Sequence, residues 1–265
     1  MLYGTAWKKD DTAKLVELAI KTGFRAIDTA CQPKHYNEKQ VGVGISKALK
    51  ETNLNRKDIF IQTKFTPIGG QDTNNMPYNP NDSLEKQICD SLQVSLSNLQ
   101  TNYIDSLILH SPIIPIEDTI KAWRVFESSV EEGLVRQIGI SNNYDPKLLS
   151  YIYEISSIKP KVLQNRFYQQ SGYDKELREF CNTHNMVYQS FWSLSANPHL
   201  LNSETIIQIA KQYNKTLEQI FYKFLTQINI TPLNGTTSEK HMKEDLEIVS
   251  FNLSQEEVNK INLLL

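Results

Sequence analysis

Residues 24–45 read FRAIDTACQPKHYNEKQVGVGI. Phe24–Ile27 forms a short apolar strand that ends on an acid, Asp28. A loop with a single tyrosine, Tyr36, follows, and then a helix opening on Asn37-Glu38 with apolar or glycine positions at Val41, Gly44, Ile45 and Leu49. A carboxylate at the C-terminal tip of a strand and a tyrosine at the start of the next helix can face one cleft, where the loops of a parallel α/β protein build an active site. Taken by themselves, the two residues read equally well as a turn acid and a packing aromatic.

Outward from this stretch, strand and helix alternate to both ends of the chain. Strands are predicted at Leu2–Ala6, Phe24–Ile27, Ile59–Thr63, Ile104–Leu109, Gln137–Ile140, Val162–Asn165, Met186–Phe191 and Ile228–Pro232. Helices are predicted at Asp11–Thr22, Lys39–Glu51, Ser83–Leu99, Ile116–Glu132, Pro146–Ser156, Tyr173–His184, Ser203–Tyr213, Thr216–Gln227, Glu239–Ile248 and Ser254–Leu264. The pair on either side of residue 214 reads as two helices or one broken helix, and Gly69–Asp82 reads as a polar loop. Eight strand–helix units in 265 residues, without a break in composition, predict one (β/α)8 TIM barrel over residues 1–265 with closing C-terminal helices. The rival, a doubly wound sheet, would carry a glycine-rich phosphate turn after an early strand. No GxGxxG or Walker pattern occurs here.

Composition narrows the function. A net charge of −2 and scattered lysines give no footing for nucleic acid or an anionic membrane. No apolar run is long enough to span a bilayer. The three cysteines, Cys31, Cys89 and Cys181, lie far apart and form neither a disulfide framework nor a metal motif, so no metal site is expected. Reduced thiols and a first strand that begins at once, without a signal peptide, point to the cytoplasm.

In a barrel, polar residues at C-terminal strand ends read as catalytic. Strand two ends at Asp28, strand three at Lys64, strand four at His110 and strand five at Ser141-Asn142; strand six carries Gln164-Asn165 and strand seven ends at Phe191. Singly, Lys64 is a solvated strand end and His110 a loop hydrogen-bonder; their serial placement with Asp28 and Tyr36 is what points to chemistry. That chemistry is proton donation to a carbonyl oxygen. Tyr36 serves as general acid, an ammonium beside it lowers the phenol pKa, Asp28 pairs with Lys64, and His110 orients the substrate oxygen. Hydride must come from a cofactor.

These residues in this order resemble the aldo-keto reductase superfamily, over essentially the whole chain. GFRAIDTA with YNEKQVGVGI looks like the family's strand-two segment, and IFIQTKF, DSLILHSP and VRQIGISN look like its later strand ends. The resemblance implies a barrel that binds NADPH, or NADH, and reduces aldehydes and ketones with an Asp–Tyr–Lys–His tetrad. By motif, the tetrad is Asp28, Tyr36, Lys64 and His110. Ser141, Asn142 and Gln164 match positions that hold the nicotinamide carboxamide, and Phe191 matches an aromatic that stacks on the nicotinamide ring. Trp7 and Trp192 are implied pocket walls, with plain packing as the equal alternative.

Four departures stand out. Asp28 and Tyr36 have seven residues between them where most members have four, and His35 precedes the tyrosine. The loop resembles that of a subgroup with QPKHY after strand two. After strand eight the chain reads PLNGTTSEKHMKEDL: Glu244-Asp245 match the family's adenine-side pair, His241 stands at the usual arginine, and Gly235-Thr236 at the usual lysine–serine. Thr236, Thr237 and Ser238 hydroxyls, with Lys240 or Lys243, are left to hold a 2′-phosphate, so NADPH is expected and NADH stays open. The family's N-terminal hairpin, which plugs the barrel floor, has no counterpart ahead of strand one. The tail after Leu246 is short, so an open pocket is expected. The expected partner is a small aldehyde or ketone, and the expected state a monomer. An alternative of another class is a nicotinamide-binding regulatory or redox-sensing subunit with little turnover.

Overall fold

The computed structural model describes residues 1–265. Eight parallel strands close into a barrel in sequence order. They are β1 (Leu2–Gly4), β2 (Ala26–Asp28), β3 (Phe60–Phe65), β4 (Ser106–Leu109), β5 (Ile138–Ser141), β6 (Val162–Arg166), β7 (Val187–Phe191) and β8 (Ile230–Asn234). Closure is made by β1 on β8, with Leu2 opposite Leu233 and Tyr3 opposite Asn234. The (β/α)8 expectation is therefore correct.

Eleven helices surround the barrel: α1 (Thr12–Thr22), α2 (Glu38–Glu51), α3 (Leu84–Asn98), α4 (Ile116–Glu131), α5 (Pro146–Ile155), α6 (Lys175–Thr183), α7 (Pro198–Leu201), α8 (Glu204–Tyr213), α9 (Leu217–Gln227), α10 (Glu239–Leu246) and α11 (Gln255–Asn262). The short α7 is absent from the sequence reading, because one turn shows no period. The pair around residue 214 proves to be two helices: Asn214 is left-handed at φ 50°, and Thr216 with Gln219 forms a capping box that restarts the chain as α9. β8 runs past Pro232 to Asn234, two residues beyond its predicted end. The predicted start of α6 at Tyr173 is corrected as well; residues 169–174 are a 3-10 turn with Tyr173 and Asp174 at positive φ, and the α-helix begins at Lys175.

The segment 24–45 shows why the chain packs as it does. Helix α1 buries Leu15, Val16, Ala19 and Ile20 and stops at Gly23, whose φ of 132° is closed to side chains with a Cβ. Helix α2 lies between α1 and α3. A Cβ at Gly44 would fall 2.5 Å from the Ala13 carbonyl oxygen, and one at Gly42 would fall 2.0 Å from that of Asn98. The VGVG run is thus a groove that lets one helix approach two neighbours.

Glu38, in the first turn of α2, is buried and ties three elements together. Its carboxylate accepts from Thr63 Oγ1 at 2.5 Å on β3, and from Ser95 Oγ at 3.0 Å and Asn98 Nδ2 at 3.3 Å on α3. Burial pushes its pKa up, and these bonds oppose the shift. At the other end of the barrel, by the N-terminal ends of the strands, a cavity of about 960 Å³ is lined by residues that include Phe24, Phe60, Arg136, Lys223 and Asp245. The C-terminal helix α11 buries Val258 and Ile261, and Glu257 accepts from Tyr213 Oη at 2.8 Å on α8. The tail therefore closes the outer helical layer.

Candidate active site

The barrel interior beneath the C-terminal strand ends is polar. Lys64 Nζ donates to Asp28 Oδ2 at 2.7 Å and to the Thr29 carbonyl at 2.8 Å, and both side chains are almost wholly buried. Asp28 Oδ1 accepts from Gln62 Nε2 at 2.7 Å and Gln164 Nε2 at 2.9 Å. Both of those amide nitrogens also donate to Gln189 Oε1, and Gln189 Nε2 returns a bond to Gln62 Oε1 at 3.1 Å. These bonds join β2 and β3 to β6 and β7, so they cross the barrel. An ion pair removed from water needs its remaining polar atoms bonded, and the glutamines supply that. Burial lowers the Lys64 pKa, opposed by the Asp28 charge.

The loop between β2 and α2 settles where Tyr36 lies. The parallel ladder continues past Asp28, with Thr29 N bonded to the Gln62 carbonyl, Cys31 N to the Lys64 carbonyl, and an isolated bridge from Cys31 to Phe65. The Gln32 carbonyl then accepts from His35 N at 3.1 Å and Tyr36 N at 3.0 Å, so the extra residues coil into one turn. Gln32 Nε2 bonds the Gly70 carbonyl, and Gln71 Nε2 bonds the carbonyls of Cys31 and Thr66, which staples this loop to the one after β3. Tyr36 emerges with its ring centroid 5.3 Å from Lys64 Nζ and 6.1 Å from the His110 ring. The four residues Asp28, Tyr36, Lys64 and His110 are thus brought together despite the longer loop.

Two pKa directions define the mouth. Burial, and secondarily the Asp28 charge, raises the Tyr36 phenol far above its ordinary range. Lys64, whose ammonium is bonded to Asp28 and Thr29, is not among the causes of this shift. His110 is pushed down to about 3 by burial and by the nearby Lys64 and His35 charges, so its ring is neutral at physiological pH.

The predicted cofactor residues divide into two groups. Ser141 Oγ donates to the Gln164 carbonyl at 2.6 Å, Asn142 Nδ2 donates to the His110 carbonyl at 2.9 Å, and Gln164 spends its amide nitrogen on Asp28 and Gln189. Their donors are satisfied within the protein, while Asn142 Oδ1 and Gln164 Oε1 accept nothing from it. Amide oxygens left open in this way have the chemistry to accept the N–H groups of a primary carboxamide. Phe191 is half-buried at the end of β7.

Thr236 lies in the loop after β8, which is held down by Tyr3 Oη on the Thr236 carbonyl and by Asn234 Oδ1 on its N–H. Asp245 is buried, its carboxylate is held by the amide of Asn234, the last residue of β8, and it also borders the cavity described above; burial raises its pKa to about 7. Glu244 faces Lys240 at 3.6 Å, and Lys243 pairs with Glu239 at 2.6 Å.

Trp7 and Trp192 are both more than half exposed and both left-handed, at φ 64° and 56°. The Trp7 ring lies 3.9 Å from that of His35, and the Arg166 guanidinium lies 4.2 Å from the Trp192 ring. Two residues escape the strand-end rule. Lys8 has its amine against the Gly235 carbonyl beside the β8 loop; it sits in a KKDD run that looks like ordinary surface. Thr66 Oγ1 lies 2.6 Å from His110 Nδ1. Gln62 and Gln189 did leave a signal, an amide in the middle of an otherwise buried strand. No cluster of His, Cys, Asp or Glu is placed to hold a metal, and no helix is long and apolar enough to cross a membrane.

Comparison with known proteins agrees with this architecture. The sequence model of the Aldo/keto reductase family matches residues 1–265. Glyoxal reductase of Bacillus subtilis is 31% identical over 256 residues, covering 96% of this chain and 84% of that protein. Methylglyoxal reductase DkgA of Yersinia pestis is 30% identical over 255 residues, with coverage of 96% and 84%. A crystal structure of an aldo-keto reductase from a Medee basin deep-sea metagenome library superposes with a TM-score of 0.83 at 28% identity, covering 99% of this chain and 90% of that one. A Bombyx mori aldo-keto reductase solved in complex with NADP shares the fold, with a TM-score of 0.81 at 24% identity. With a closed barrel, a buried acid–lysine pair and a tyrosine and histidine at its mouth, the chain is a member of the aldo-keto reductase family of oxidoreductases.

Proposed function

We propose that the protein reduces the carbonyl group of small aldehydes or ketones to an alcohol, with NADPH as the electron donor and Tyr36 as the general acid. The observation that carries this reading is the convergence of Tyr36, His110 and the buried Asp28–Lys64 pair on one mouth. When bound, NADPH supplies the hydride. The remaining work falls to the chain's own side chains. His110 holds the substrate oxygen. Tyr36, kept protonated by its surroundings, passes its proton to that oxygen as negative charge develops there. Lys64, fixed by Asp28, places positive charge beneath the phenol ring.

The acceptor pair Asn142 Oδ1 and Gln164 Oε1, with Ser141, would hold the nicotinamide carboxamide, and Phe191 would stack on its ring. Phosphate oxygens would meet the hydroxyls of Thr236, Thr237 and Ser238 ahead of α10, with Lys8 beside the same loop. Lys240 and Lys243 pair with acids of their own helix and Lys8 with the Gly235 carbonyl, so each would exchange that partner for phosphate oxygens of NADPH. Trp7 and Trp192 would wall the substrate pocket. Glyoxal and methylglyoxal, named for the two bacterial relatives, are the first substrates to try, followed by nitrobenzaldehydes.

Nicotinamide fluorescence on titration with NADPH tests binding, and loss of NADPH absorbance with these carbonyls tests turnover. Tyr36→Phe is expected to lower kcat by roughly 10²–10⁴ with little change in NADPH affinity, the scale for losing a general acid. Binding with no turnover on any carbonyl would instead make the protein a nicotinamide-binding regulatory subunit. Full activity in Tyr36→Phe would move the proton donor elsewhere, with His35 the first residue to examine.

A further inference from the structure

His110 can serve a carbonyl oxygen only if its Nε2 carries the ring hydrogen. A neutral imidazole has one N–H and one lone pair, and the partner of Nδ1 decides which nitrogen holds which. Here that partner is the Thr66 hydroxyl, 2.6 Å away, and it is the only side-chain partner either group has. There are two ways to place the hydrogens. If Nδ1–H donates to Thr66, the threonine hydroxyl hydrogen is left without an acceptor in a residue only 2% exposed. If Thr66 donates to the Nδ1 lone pair, both groups are satisfied and the hydrogen moves to Nε2. An unmet buried donor is costly, so the second arrangement is favoured.

The threonine is itself held in place. Its carbonyl accepts from Tyr78 Oη at 2.7 Å and Gln71 Nε2 at 3.2 Å, and a Cβ at Gly70 would lie 2.7 Å from Thr66 Cγ2. The carbonyl of His110 is fixed from the other side by Asn142 Nδ2 at 2.9 Å. Nothing in this requires a bound substrate.

We propose that Thr66 is the positioning residue that sets the tautomer of His110: its hydroxyl donates to Nδ1 and leaves the Nε2 hydrogen directed into the mouth for a carbonyl oxygen. The proposal rests on the carbonyl-reduction reading for its purpose, and on hydrogen-bond accounting for its content. The low His110 pKa keeps the ring neutral across the working pH range, so the tautomer persists wherever the enzyme acts.

The test uses nitrogen-15 NMR of the imidazoles at neutral pH in the full-length protein, with His110→Gln to assign the signal among the five histidines. The unmodified protein is expected to show His110 as the Nε2–H form. Thr66→Val, which keeps the shape and removes the hydroxyl, is expected to redistribute the hydrogen between the two nitrogens. It should also lower kcat/KM for carbonyl reduction by about tenfold or more while NADPH affinity stays unchanged. Thr66→Ser is expected to restore both the spectrum and kcat/KM to within about threefold. An Nδ1–H form in the unmodified protein overturns the proposal, and so does a Thr66→Val variant with an unchanged spectrum. A Thr66→Ser variant no better than Thr66→Val also overturns it, since packing would then be the cause. If no carbonyl is turned over at all, the activity reading falls, while the spectrum still decides the tautomer.

Discussion

The phenol of Tyr36 and the imidazole of His110 share one mouth, and their surroundings shift them in opposite directions, one up and the other down to about 3. The sign of each matters. A raised phenol pKa keeps the proton donor loaded through and above neutrality. A lowered imidazole pKa keeps the ring uncharged from about pH 4 upward. Neither group then changes state in the ordinary assay range, so kcat/KM for reduction is expected to stay flat between roughly pH 5 and 9. A basic limb in that window that vanishes in Tyr36→Phe would show that Lys64 does lower the phenol. At this scale the sequence discloses residue types better than their partners. Asp28, Lys64 and His110 stand out as polar residues ending apolar runs. The commitment of the Lys64 ammonium to Asp28 and Thr29 depends on side-chain direction, which no spacing encodes.

At the scale of the element, α2 is the decisive piece, since Tyr36 and Glu38 flank its start. Its axis is set by the close approach at Gly44 to α1 and at Gly42 to α3. Gly44→Ala is expected to destabilise the fold by about 1–3 kcal/mol through overpacking against the Ala13 carbonyl and the Val16 side chain. The helical propensity gain, about 1 kcal/mol, is too small to offset it reliably in a packed site. A lowered urea midpoint with unchanged slope would check this; an unchanged midpoint would mean that α2 can slide outward freely. The periodicity of Val41, Ile45 and Leu49 makes this helix legible. The tight glycine contacts are not, because a glycine in a helix reads the same whether it faces solvent or a neighbouring backbone. For the same reason the longer 31–35 loop left two outcomes open. Only the shared acceptor at the Gln32 carbonyl shows that the additional length is absorbed in a turn.

For the whole molecule, the alternation of apolar strands and striped helices was enough to give the closed barrel, because a parallel sheet needs helices over its outer face and each crossover returns right-handed. What lay beyond reach was the surroundings of single polar groups. Asp245 is buried and held by Asn234 at the end of β8, a setting that its place in a charged helical run does not announce. Its folded pKa of about 7 lies above the unfolded carboxylate value of about 3.9. Its contribution to stability is therefore complete below about pH 4 and is lost as pH rises toward 7. Asp245→Asn removes that loss. Urea midpoints measured from pH 4 to 8 are expected to show the variant gaining on the unmodified protein as pH rises, with an upper bound of about 4 kcal/mol for a shift of this size. Parallel curves would show that Asp245 is solvated in the folded state.

The glutamines that cross the barrel carry one more consequence. A carboxylate only accepts, so the amides of Gln62 and Gln164 must both turn their nitrogens toward Asp28. That choice leaves Gln189 to offer its oxygen to both of them and its nitrogen to the Gln62 oxygen. No single amide can flip without breaking several bonds at once. The centre of the barrel thus has an arrow, written by one acid on β2 and legible three strands away.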